Sequence, residues 1–404
     1  MKYVVFLADG MADKPYDKLD GKTPLEIAKH PNLDRLAKDG YFGLAKTVPD
    51  KMPPGSDTAN LSVFGYDPEI YYSGRSPLEA ASLGIELNPQ DVTYRCNTVT
   101  LSDADSLEDA VMMDYSAGEI ESDLSKQLIE TAAKQFGSEA LELYNGVYYR
   151  HCMVLRNAES GGDQTPPHDI TKKPVRDYLP KGINSEKLLE IMKWSYKELK
   201  NHPVNIELAN NGKKVANCLW FWGEGRKPAL TPYREKFGIN KGAVISAVDL
   251  IQGIGKCAGL EIIKVKGATG NFNTDFSAKA QAAIDAFKNG TEFVYIHMEA
   301  PDECGHHCQV KEKIWSIEQI DKLVVGPVME YLENCGEEFA ALAMPDHPTP
   351  LEIMTHTADP VPFALYFSDG RLKSSNAAGY TEAYAEKTGV YVPKACNLME
   401  MMTK

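Results

Sequence analysis

No apolar run in the chain approaches the ~18 residues of a membrane-spanning helix, so no membrane partner is expected. There is no G-x-x-x-x-G-K loop and no G-x-S-x-G elbow, which counts against P-loop kinases and α/β-hydrolases. Gly253, Gly255 and Gly259 make a G-x-G-x-x-x-G run. It is one residue too long for a dinucleotide fingerprint and falls within an apparent helix instead of opening one. Repeats and low-complexity tracts are lacking too. Positive charge is short: Lys and Arg total 43 against 57 Asp and Glu, a net charge of −14. That balance argues against a nucleic-acid partner, and an anionic substrate then needs local basic groups and metal. Val4 to Ala8 is too short for a signal-peptide core and lacks a cleavage site, so a cytoplasmic enzyme is expected. The eight cysteines are scattered and read as reduced thiols. Cys304 and Cys308 flank His306 and His307, which raises a zinc knuckle, but no second Cys pair at suitable spacing closes one.

What the chain does have is a pattern of short apolar runs that end in acids. Phe293-Val-Tyr-Ile-His-Met298 reads as a buried strand and leads into Glu299-Ala-Pro-Asp302-Glu-Cys-Gly-His306. Asp302 and His306 stand four apart, so one helical turn puts both on one face, and the pair suits Mn²⁺ or Zn²⁺. Taken alone, the pair is also what an ordinary surface loop contains. Phe339-Ala-Ala-Leu-Ala-Met344 ends in Pro345-Asp346-His347, and Tyr3 to Ala8 ends in Asp9. Ligands of open α/β sheets bind outside the carboxyl ends of strands, so the fold can gather these acids. His356, between two threonines, offers a further imidazole.

In chain order, Thr23-Pro24-Leu25-Glu26 is a capping box with Pro at the first helical position. Met52-Pro-Pro-Gly55 precedes Ser56-Asp-Thr-Ala-Asn-Leu61, which places Ser56 at a helix start. Its plain role is an N-cap. The same place suits a nucleophile that takes up phosphate, because helix N-termini present free N–H groups and a positive dipole end. From Asn88-Pro89 to about Gly212 strands and helices follow without βαβ alternation, which suggests a separate α+β module. Asn210-Asn211-Gly212 either ends that module or forms a hairpin turn inside it. Val215 to Trp222 reads as a strand ending at Gly223-Glu-Gly-Arg226. Ser160 to Ile170, with His168, is a long loop of turn residues that is either functional or an ordinary excursion.

As an ordered set, Asp9-Gly, Gly-Ser56-Asp-Thr-Ala-Asn-Leu, Glu-Ala-Pro-Asp302-x-x-x-His306, Pro-Asp346-His347 and Thr-His356-Thr resemble the alkaline phosphatase superfamily. The match is nearest its archaeal-type cofactor-independent phosphoglycerate mutases. The resemblance implies an α/β core, residues 1–88 and 213–404, with a central, mostly parallel sheet flanked by helices. An inserted α+β cap, 89–212, would close over the substrate. It also implies two divalent metals, Mn²⁺ first and Zn²⁺, Co²⁺ or Mg²⁺ as alternatives, and no bisphosphoglycerate. Asp302, His306 and His356 would hold one metal. Asp9, Asp346, His347 and the Ser56 oxygen would hold the other. Ser56 would be the nucleophile that carries the phosphoryl group between 3- and 2-phosphoglycerate, with His168 and Arg226 as candidate substrate contacts. His307-Cys308 departs from the small or acidic residues common there in relatives. A homoserine kinase-like phosphotransferase is the alternative, followed by a phosphatase and by a scaffold without activity.

Overall fold

β-Branched and aromatic runs that cannot be solvated gather into one large sheet. The computed structural model describes residues 1–404. They form two units, Met1–Tyr72 with Leu230–Lys404, and Ser73–Ala229. In the first, eight strands lie in the order Tyr391–Val392, Tyr41–Ala45, Val361–Phe367, Phe339–Met344, Lys2–Ala8, Phe293–Met298, Gly242–Ile245 and Glu261–Ile263. Val361–Phe367 runs antiparallel to both neighbours, and all other pairings are parallel. Strands covered on both faces read as continuous apolar runs, and the central Phe293–Met298 and Phe339–Met344 are buried at every position. The expected α/β core is therefore present.

The three runs that end in acids are the three central neighbours. Ala8 pairs with Met298 and Leu7 with Met344, so their carboxyl ends are level and the residues beyond converge. Helices Pro31–Asp39, Phe276–Lys288, Val310–Ile320 and Gly326–Asn334 supply the apolar faces packed on this sheet, through Leu33, Phe276, Ile317 and Val328 among others. The Thr23 capping box forms as read: Thr23 Oγ1 accepts from Glu26 N–H at 3.2 Å, and Glu26 Oε2 accepts from Thr23 N–H at 2.9 Å.

The second unit is antiparallel. Val92–Leu101 lies between Arg150–Leu155 and Cys218–Arg226, with Leu141–Tyr144 beyond the former. Helices Ser122–Phe136 and Ser185–Glu198 cover its core around Trp220 and Phe221. This unit starts at residue 73, before the 89 read from sequence, and ends at 229 instead of 212. The reason is close backbone packing. A Cβ on Gly74 would stand 2.4 Å from Glu224 O, and one on Gly225 2.5 Å from Ser73 O. Ser76 Oγ also donates to Thr93 O at 3.0 Å, so the 73–82 segment belongs with these strands. Gly223 does not end the strand as expected. At φ +64° it sits where the pairing with Thr93 to Arg95 shifts, and the strand continues to Arg226. Asn211-Gly212 closes helix Pro203–Asn210 and is no hairpin.

Candidate metal and phosphoryl-transfer site

Every ligand position named from the sequence lies in the first unit, and all of them come together. Asp9 follows its strand directly, Asp346 lies two residues past Met344, and Asp302 and His306 share the short helix Ala300–His306. Two sets of side chains converge closely enough to share an ion: Asp9, Asp346 and His347, and Asp302, His347 and His356. His306 joins the second, its Nε2 2.9 Å from His356 Nε2 and 3.3 Å from Asp302 Oδ2. His307, next to it, turns away, with Nδ1 at 2.8 Å from Glu303 O.

Neighbours fix the direction of each ligand. His306 Nδ1 faces Met354 O at 3.0 Å, which leaves Nε2 for the centre. His347 Nδ1 faces Thr349 Oγ1 at 3.2 Å, and its Nε2 lies 3.3 Å from Asp346 Oδ2 and 3.5 Å from Asp9 Oδ1. Asp346 accepts from Gly10 N–H at 3.2 Å, His347 N–H at 2.9 Å and Asn60 Nδ2 at 2.8 Å. Asn60 also takes Tyr295 OH at 2.7 Å and donates to Ser56 O at 2.9 Å, tying the serine's helix to Asp346. Sequence reasoning passed over Asn60, Thr349 and Tyr295, because a neutral side chain at these places carries no motif of its own.

Ser56 is not the N-cap. Gly55 holds that position in extended conformation, and Ser56 is the first residue of the helix Ser56–Val63. Its Oγ lies 3.1 Å from His347 Nε2 and stays partly accessible.

The charges fit a cation. Burial, then repulsion from Asp346 and Asp302, pushes the Asp9 carboxyl well above its usual range. Asp9 Oδ1 is buried with no hydrogen-bond partner. Burial also opposes the charge on Asp302, but hydrogen bonds to His306 and His356 outweigh it and hold that carboxyl well below its usual range. The bond to Asp302, against burial, raises His306 to about 9. Burial lowers His347, favouring the neutral imidazole that a metal requires. Repelling carboxylates, an orphan oxygen and converging imidazole nitrogens are what divalent ions would relieve. Carboxylate, imidazole and hydroxyl donors together suit Mn²⁺, Zn²⁺ or Co²⁺.

The two candidate substrate contacts lie in the second unit. Arg226 spends its guanidinium on Ser160 Oγ at 3.0 Å, Pro89 O at 3.3 Å and Ala158 O at 2.7 Å. His168 packs edge-on against Trp222, whose ring carries the Arg95 guanidinium at 4.0 Å. Arg75 and Arg95 share Glu79, at 3.0 and 2.9 Å. Burial, against Glu79 but with the like charges of Arg75 and Arg150, holds Arg95 down at about 10. Sequence reasoning missed this cluster because its arginines are scattered singly along the chain.

Comparison with known proteins shows the family. The family profile of 2,3-bisphosphoglycerate-independent phosphoglycerate mutases matches residues 37–205. A probable enzyme of that description from Geobacter sulfurreducens is 48% identical over 100% of this chain and 99% of its own. One from Methanosarcina barkeri is 45% identical over 100% of both chains. A solved structure from Pyrococcus horikoshii, 30% identical, is similar with a TM-score of 0.81 over 99% of this chain and 96% of that one. The cofactor-independent phosphoglycerate mutase of Thermoplasma acidophilum, 24% identical with a TM-score of 0.68, covers 100% of this chain and 99% of its own and shares the fold.

Proposed function

The chain belongs to the family of 2,3-bisphosphoglycerate-independent phosphoglycerate mutases, and we propose that Ser56 is the group through which it moves phosphate between the 2- and 3-oxygens of glycerate. The observation that carries this role is the 3.1 Å approach of Ser56 Oγ to His347 Nε2, in a residue common to both metal-competent sets. Asp9, Asp346, His347 and Ser56 Oγ would hold one divalent ion, and Asp302, His306 and His356 the other. When bound, such ions lower the hydroxyl pKa and neutralise charge on the transferring group.

The chain's own residues account for the rest. Asn60 and Asp346 hold the first turn of the Ser56 helix in place, and that turn presents N–H groups and a positive dipole end to phosphate. Ser56 Oγ bonds to phosphorus and loses its proton, and the substrate oxygen that departs gains one. The neighbouring hydroxyl of the same glycerate then takes the phosphoryl group back, freeing Ser56. A net −14 chain must concentrate positive charge where its anionic substrate binds. Arg226, engaged by Ser160, Pro89 and Ala158, shapes the loop that leads to His168. Mn²⁺ is the metal proposed, since its preference for oxygen donors matches the Asp9, Asp346 and Ser56 set.

The test supplies 3-phosphoglycerate and Mn²⁺ without bisphosphoglycerate and looks for 2-phosphoglycerate. Absence of turnover with Mn²⁺, Co²⁺, Zn²⁺ and Mg²⁺ alike would refute it. The kinase-like alternative has no observation in its favour and would consume ATP when given homoserine.

A further inference from the structure

We propose that His297, steadied by Glu299 and Lys279, positions the Asp9 carboxylate for its metal, an inference that rests on Asp9 being a metal ligand. His297 lies in the central strand Phe293–Met298 with no accessible surface. Its Nε2 stands 3.0 Å from Asp9 Oδ2, and its Nδ1 stands 2.9 Å from Glu299 Oε1. Whichever ring nitrogen carries the proton therefore faces a carboxylate. Glu299 is held in turn. Its Oε2 takes Lys279 Nζ at 2.7 Å, and its Oε1 takes Ala247 N–H at 3.1 Å and Ser246 Oγ at 3.2 Å. Lys279, wholly buried in the helix Phe276–Lys288, gives a second bond to His297 O at 2.9 Å.

Such a chain is costly in a strand of apolar neighbours. Buried ion pairs gain little net stability over well-packed apolar side chains of the same volume. Packing alone would be served by Leu or Met at these places. What the chain does accomplish is directional. It brings an imidazole nitrogen to one oxygen of Asp9 and leaves the other, Oδ1, unpartnered and 3.5 Å from His347 Nε2. Nε2 lies within reach of Oδ2, off the line of a hydrogen bond. Asp9 is thereby held with Oδ1 turned to the centre. Groups that orient metal ligands in this way are worth about 10–100-fold in metal affinity.

Two substitutions separate the two ring nitrogens. His297→Asn keeps a polar atom near the place of Nδ1 and withdraws from Asp9. His297→Gln reaches the place of Nε2. The full-length protein, stripped by chelator and desalted, is titrated with Mn²⁺ by calorimetry beside the wild type and Asp9→Asn. His297→Asn should weaken one of the two ions by about 10–100-fold and leave the other unchanged. His297→Gln should stay within about threefold of the wild type, as expected when a polar group is kept beside Asp9 Oδ2. Both melts are recorded without metal, so that a general loss of packing is seen apart from ion binding. Equal affinities in His297→Asn and the wild type would overturn the proposal, provided Asp9→Asn loses an ion. If Asp9→Asn also binds both ions normally, the assignment of Asp9 as a ligand fails instead. Should His297→Asn not fold, Glu299→Gln, which leaves the imidazole in place with a weaker anchor, must still lower affinity for the same ion. Unchanged binding there counts equally against the chain.

Discussion

Ser56 Oγ and His347 Nε2 stand 3.1 Å apart, and His347 is the residue common to both metal-competent sets. A hydroxyl at the first position of a helix thus faces the one imidazole that could serve either ion. Because Gly55 occupies the N-cap position, Ser56 is not needed as a cap. The two roles that residue type leaves open are separated by this single residue of register.

Replacing Ser56 by Ala should therefore cost little stability, below the roughly 0.5–2 kcal/mol of a lost N-cap. Turnover should fall to background, because the covalent carrier is gone. Mass spectrometry of wild-type protein quenched during turnover should find a phosphate on the peptide containing Ser56. Near-normal mutase activity in Ser56→Ala would sink the role.

Removal of the ions should leave Asp9, Asp302 and Asp346 repelling one another without a cation between them. Chelator should abolish activity, and Mn²⁺ restored at a hundred times its dissociation constant should add about 2.7 kcal/mol of stability for each ion bound. Asp346→Asn can keep one acceptor oxygen for Gly10 and His347 N–H but gives up the bond from Asn60, and it should lose one ion by elemental analysis. An equal metal content in wild type and variant would refute the assignment.

Gly10 follows the Asp9 ligand at φ +60°, and a Cβ there would stand 2.6 Å from both Asp302 Oδ1 and Thr349 Oγ1. Gly10→Ala should cost roughly 1–3 kcal/mol from backbone strain. The collision also displaces Asp302, so affinity for the ion at Asp302, His306 and His356 should drop with it. Denaturant midpoints and calorimetric titration with Mn²⁺ check the two effects separately. A variant that is destabilised but binds both ions normally would show that the contact is structural only.

The core of this site was legible in the sequence for a definite reason. Strands buried on both faces have to be continuous apolar runs, and each of three such runs stops at an acid. Asp9, Asp302 and Asp346 were thus visible without the fold. The supporting residues were not. Lys279 sits among alanines in an amphipathic helix and looks like any solvated lysine until Glu299 is seen 2.7 Å away. The second unit was read between Asn88-Pro89 and Gly212 from a change of pattern, whereas its extent from 73 to 229 depends on Gly74 and Gly225, which permit two backbones to touch. Arg226 was a candidate substrate contact through the resemblance, yet its donors are taken up by Ser160 and two backbone carbonyls.

The last prediction concerns pH and the second unit. His151 is buried in the strand Arg150–Leu155, its Nδ1 accepting from Gly146 N–H at 3.2 Å while Nε2 has no partner. Burial pushes its pKa down to about 3. The unfolded chain binds this proton near pH 6.5, so between those values unfolding takes up a proton that the folded state refuses. The stability is fully present above pH 6.5 and is lost as pH falls toward 3. His151→Asn keeps an acceptor for Gly146 and cannot titrate. From pH 7 to pH 5 the wild type should lose about 2 kcal/mol more than this variant. Three of the four tryptophans, Trp194, Trp220 and Trp222, lie in this unit, so urea curves followed by tryptophan emission report on it. Parallel pH dependence in the two proteins would mean that His151 is charged in the folded state or never buried as the strand places it.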